Sequence, residues 1–124
     1  MAWVAPNPAR YAGQVVDTGH CVRLTQIAAG APHTSRWARG SKVRGNPVAP
    51  GTAIATFSVN GRYENRTDGS SHAAIFVAEE SGGLRVWDQW TGHPVAQRTI
   101  RWHGGQGKKS NDGDQFFVIE EAVT

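Results

Sequence analysis

Three side chains in this 124-residue sequence have the types and placing needed for covalent chemistry: Cys21, His72 and Asp88. A thiolate attacks carbonyl carbon, an imidazole moves protons near neutral pH, and a carboxylate can hold that imidazole in one tautomer. Cys21 lies at the first turn of an expected helix. There, free backbone N–H groups and the positive end of the helix dipole favour an anion. A lone cysteine at such a position also suits the core as a small hydrophobe, and position alone leaves both readings open. His72 opens a strand that continues Ala73-Ala74-Ile75-Phe76-Val77, small residues and then apolar ones. Asp88 falls on the next strand, on the face it shares with Val86 and Trp90 by the period of two. A hairpin at Ser81-Gly82-Gly83 sets residues around 72 opposite residues around 91 and makes His72 and Asp88 neighbours. A carboxylate on an apolar face needs a partner, and histidine supplies one. The lesser alternative is a His–Asp hydrogen bond that merely locks two strands together.

The elements that must position these residues follow from periodicity and turn signals. Asp17-Thr18-Gly19 offers capping oxygens ahead of apolar Val22, Leu24, Ile27 and Ala28, which predicts a helix from His20 to Ala29 stopped by Gly30-Ala31-Pro32. The stretch from there to Pro50-Gly51 reads as a loop with one short helical turn; it carries the basic cluster Arg36, Arg39, Lys42 and Arg44 beside Trp37. Strands are expected at 52–59, 72–79, 84–90, 95–102 and 115–120. Asn60-Gly61 suggests a type I′ turn leading into a short partner strand at 62–65. One helix followed by an antiparallel meander makes a single α+β domain over residues 1–124.

Composition narrows the function. With 39% hydrophobic residues and 15 glycines the chain has the apolar share of a globular domain, and its length suits one core. Thirteen Lys and Arg against ten Asp and Glu leave a net charge of only +3, a weak basic bias. A nucleic-acid-binding domain using Arg36 to Arg44 is therefore a minor alternative, and neither nucleic acid nor membrane is expected as a partner. One cysteine cannot form an internal disulfide, a CxxC pair or a cysteine-rich zinc site, and no HExxH, GxSxG or GxxxxGK[ST] occurs. No metal or cofactor is expected. Asn65-Arg66-Thr67 fits the glycosylation sequon, read here as chance because no signal peptide is visible at the N-terminus.

Gly19-His20-Cys21-Val22, Gly51-Thr52-Ala53-Ile54-Ala55, His72-Ala73-Ala74-Ile75-Phe76 and Asp88-Gln89-Trp90, in that order, resemble NlpC-like and CHAP (cysteine, histidine-dependent amidohydrolase/peptidase) proteins. Short bacterial members that include cell-wall amidase effectors of type VI secretion are the nearest look-alikes. The resemblance runs from about Gly19 to Glu120. It implies a papain-like fold, with the cysteine-bearing helix packed on an antiparallel sheet of five to six strands. It also implies a Cys21 nucleophile, a His72 base and an orienting Asp88. His20-Cys21-Val22, where NlpC-like enzymes often have Asp-Cys-Ser/Thr, places the chain nearer the CHAP style. Tyr11 is the candidate for the upstream tyrosine that often assists the oxyanion in the NlpC-like branch. His20 adjoins the thiol, the backbone N–H of Cys21 is an oxyanion donor, and Gln89, Trp90 and Trp37 are candidates for lining the cleft. The implied activity is hydrolysis of amide bonds in peptidoglycan stem peptides by a monomer, with an immunity protein as a further partner and delivery to the periplasm by a dedicated secretion system. The alternative is an inactive or protein-directed binding module on the same fold.

Overall fold

Alternation of small and large apolar residues through the second half of the chain closes into a sheet that is buried on both faces at its centre. The computed structural model describes residues 2–122. Helix α1 spans Cys21–Ala29, and the strands are β1 Trp37–Lys42, β2 Ala53–Thr56, β3 Ala73–Glu80, β4 Gly83–Trp90, β5 His93–Arg101 and β6 Phe116–Glu121. Every pairing is antiparallel and the order across the sheet is β1-β6-β2-β3-β4-β5.

Successive strand residues point to opposite faces. Ala53, Ala55, Ala73 and Ile75 therefore meet Val22, Leu24 and Ala28 of α1. Ile54, Ala74, Phe76, Leu84 and Val86 pack on the other side with Val43, Ile100 and Phe116. The helix lies over β3 and β4, which brings its first residue to the end of the sheet where β3 begins.

The topology corrects the sequence reading in four places. The segment expected as a basic loop forms β1 after a short 3-10 turn at Thr34–Arg36. Only Trp37 of that strand is buried, and the strand exists because it pairs with β6, Trp37 opposite Glu121. The meander is limited to β2-β3-β4-β5, since β6 inserts between β1 and β2. At Asn60-Gly61 only Gly61 has positive φ, so the turn is not type I′. Residues 62–65 form no strand, and Tyr63 packs instead against the core. Finally, α1 starts at Cys21 with His20 as an extended N-cap that makes no side-chain capping bond. Asp17 has turned to Arg23, at 2.8 Å. The first-turn N–H groups are thus not taken by a capping side chain.

The outer wall of the sheet end comes from two loops. Asp112, fully buried, accepts the backbone N–H groups of His103, Gly105 and Asp114 and so shapes the segment between β5 and β6. That segment is tied to the loop before β3 by Ser110 N–H donating to the Gly69 carbonyl at 3.1 Å.

Gly51 shows why a glycine opens β2. Residues 3–5 run alongside as a strap: Ala5 N–H donates to the Gly51 carbonyl at 2.7 Å and Ala53 N–H to that of Trp3 at 2.9 Å. Gly51 has φ of +93°, and a Cβ on it would sit 2.5 Å from the Ala5 oxygen. Gly51→Ala is expected to destabilise the fold by about 1–3 kcal/mol, through strain and forced displacement of the strap. The check is a lowered urea midpoint at unchanged slope.

Candidate active site

Cys21, the first residue of α1, and His72, just before β3, line a cleft of about 550 Å³, and Asp88 near the end of β4 lies buried behind His72. His72 and Asp88 are buried, at 5% and 2% exposure, while Cys21 is half-buried. Ile75 pairs with Trp87, and continuing that register puts Ala74 opposite Asp88. His72 therefore reaches Asp88 diagonally, its Nε2 lying 2.7 Å from Oδ2. The small residues after the histidine make this possible. Ala74 leaves the diagonal open on one face, and Ala73 on the other lets the helix start pack closely against the strand.

Asp88 is an acceptor, so Nε2 carries the hydrogen and Nδ1 is the ring nitrogen left to interact with the thiol. Burial pushes the Cys21 thiol up, but the hydrogen bond and charge of His72, the Ala73 N–H and the Tyr63 hydroxyl outweigh it and hold the thiol below its ordinary value. Burial pulls the imidazole down; the bonds to Asp88 and Cys21 prevail and raise it to about 9. A lowered thiol beside a raised imidazole favours the thiolate–imidazolium form of the pair.

Two further residues shape the site. The Tyr63 hydroxyl lies 3.7 Å from the Cys21 sulfur. Its ring is fixed by Trp37, with centroids 4.8 Å apart, and by Phe57 edge-on at 6.4 Å. Burial and the neighbouring thiolate keep its phenol neutral, so it remains a donor. Arg98, on β5, donates Nε–H to the same Asp88 oxygen at 2.7 Å. Both were missed because Tyr63 lies in an irregular loop and Arg98 on a strand with solvent-facing alternation; the available signal was the need of a buried carboxylate for a cationic partner.

The remaining candidates divide. His20 lines the cleft mouth at the helix N-cap. Trp90 lines it too, half-exposed and stacked on His93 with centroids 4.0 Å apart. Gln89 is completely buried and its amide is fully engaged: Oε1 accepts Val16 N–H at 2.9 Å, and Nε2 donates to the Val16 and His20 carbonyls, both at 3.0 Å. It clamps the approach to α1 and has no donor left for substrate. Tyr11 closes a 3-10 turn at Pro8–Tyr11, packed against the core, and Tyr63 is the tyrosine bonded to the thiol. Trp37 is a core residue at 1% exposure whose Nε1–H donates to the Pro32 carbonyl. No cluster of metal-ligating side chains occurs among the described residues.

A helix that begins at a cysteine and packs on a six-stranded antiparallel sheet, with a histidine at the start of one strand and an acid at the end of the next, defines a papain-like α+β domain. The chain belongs to the domesticated amidase effector 2 family, whose signature matches residues 2–119. It is 42% identical over 110 residues to domesticated amidase effector 2 of Ixodes scapularis, covering 85% of this chain and 73% of that protein. A type VI secretion amidase effector 2 protein of Salmonella typhi is 38% identical over 113 residues, covering 81% and 84%. The solved structure of a type 6 secretion amidase effector 2 superposes with a TM-score of 0.84 at 34% identity over 98% of this chain and 96% of that one.

Tyr63→Phe removes one donor from the sulfur and is expected to raise the thiol pKa without unfolding the protein. The pH dependence of iodoacetamide alkylation reads this directly, with its midpoint moving upward; His72→Ala should move it further. An unmoved midpoint in both variants would mean that neither group acts on the thiol.

Proposed function

We propose that this protein is a cysteine-dependent amidase or endopeptidase that hydrolyses amide bonds of bacterial peptidoglycan stem peptides. The observation that carries the reading is the thiol–imidazole–carboxylate chain at the floor of an open cleft, in a chain whose relatives are named amidase effectors. The Cys21 thiolate attacks the carbonyl carbon of the scissile amide and the oxygen takes up negative charge. The backbone N–H of Cys21, at a helix start free of side-chain capping, is directed to that oxyanion. His72, protonated, gives its proton to the leaving amine, and a thioester on Cys21 results. Water, deprotonated by His72, then attacks the thioester and frees the acid product and the thiol. Asp88 holds the ring so that Nδ1 faces sulfur throughout.

The basic residues of the first half support this reading over nucleic-acid binding. Arg36 pairs with Glu121, Arg44 with Asp114 at 2.8 Å, and Arg39 lies over the Phe117 ring while donating to the Ser58 carbonyl. They serve the fold rather than an open phosphate track. The relatives' names extend the proposal to export by a type VI machine, and an effector that attacks cell walls calls for an immunity protein to guard its producer.

Digestion of purified peptidoglycan followed by mass analysis is the test. Wild type should release peptide fragments, and Cys21→Ala should lower the rate by about 10⁴-fold or more. Equal traces from both would sink the proposal. Activity should rise with pH as the thiol ionises, below the range of an ordinary cysteine, and fall again as pH passes about 9 and His72 loses the proton owed to the leaving amine. A pH–rate profile that keeps climbing beyond 9 would contradict that assignment.

A further inference from the structure

Among the described residues Arg98 finds an acceptor for only one of its five N–H donors. Its Nε–H goes to Asp88, and among the described residues its two Nη groups meet no acceptor. The side chain is 29% exposed, and that exposure faces the cleft, whose wall it forms beside His72 and Trp90. Its position is fixed: the guanidinium lies over the Trp90 ring, 5.1 Å from the centroid, and the same ring is stacked on His93. A guanidinium anchored at Nε, half-desolvated and open at both Nη atoms is pre-organised for a second carboxylate.

The other charges around the cleft do not compete with it. Arg66 is exposed and lies 3.5 Å from Glu64, and the carboxylate of Asp68 on the wall accepts from Ser70 N–H and hydroxyl. Lys108 runs its methylenes over Gly69. Arg98 is thus the rigid cation next to the reacting groups, with Arg66 and Lys108 adding a diffuse positive rim.

We infer that Arg98 has two roles, orienting Asp88 through Nε and binding a free carboxylate of the substrate, close to the scissile amide, through its Nη groups. The inference rests on the amidase reading and deepens it, because it makes the enzyme selective for stem peptides in which the carboxylate near the cleaved bond is free rather than amidated.

The test uses two synthetic stem peptides that differ only in that group, carboxylate in one and carboxamide in the other. Wild type should favour the carboxylate peptide by about 10- to 100-fold in kcat/KM, the range of a charge-assisted hydrogen bond. Arg98→Gln should bring the ratio of the two kcat/KM values close to one, and Arg98→Lys should keep part of it. Using the ratio cancels the loss that both peptides suffer when Asp88 loses its anchor, and that common loss in kcat reads the positioning role. A native circular-dichroism spectrum and a cooperative unfolding transition in Arg98→Gln show that the variant is folded. A wild-type ratio near one, or the same ratio in Arg98→Gln, overturns the carboxylate site while leaving the amidase standing. Failure of wild type to cleave either peptide or peptidoglycan removes the amidase reading and this inference with it.

Discussion

Everything at the site hangs on the hydrogen bond from His72 to Asp88. It crosses from one strand to the next within the sheet, so it is as rigid as the β3–β4 ladder itself. Because Nε2 is committed to the carboxylate, the other ring nitrogen is the one left to interact with the sulfur. The burial that makes an isolated ion costly here works for the site. With water excluded, each charge is felt strongly by the next, and the series Arg98, Asp88, His72 and Cys21 alternates in sign. Remove one member and its neighbours keep the desolvation penalty without the compensation.

Most of the fold was legible because its signals are local. His72 to Glu79, Leu84 to Trp90 and Val95 to Trp102 are each marked by β-branched and aromatic residues between turn formers, and α1 by its apolar spacing. The neighbouring of His72 and Asp88 followed from one hairpin and one register. What stayed hidden was set by distant partners. Nothing in Arg39-Gly40-Ser41-Lys42 favours a strand; β1 forms because β6, some eighty residues on, offers it an unpaired edge and Trp37 a place in the core. Tyr63 reaches the sulfur from an irregular loop, its ring held by Trp37 and Phe57. Gln89, next to the acid in sequence, suggested a cleft residue, yet alternation turns it to the opposite face.

The family comparisons and the geometry bear on different things. Similarity over nearly the whole chain, 34% identical to a solved amidase effector at a TM-score of 0.84, fixes the architecture and the family. It does not say which side chain holds which proton or what the cleft selects. The proton assignments argued above, and the selectivity we propose, rest instead on the shared Asp88 oxygen, the neutral Tyr63 phenol and the unspent face of Arg98.

The turning of Gln89 has its own consequence. Asp88 and Gln89 are consecutive, and they serve the two halves of the site from opposite sides of one strand: Asp88 sets the imidazole, and Gln89 grips the backbone on which the cysteine is carried. β4 thus acts as a caliper whose two jaws are adjacent residues. Deleting or inserting a single residue between the Gly82-Gly83 turn and Asp88 would exchange the jaws, sending the amide toward the histidine and the acid toward the helix.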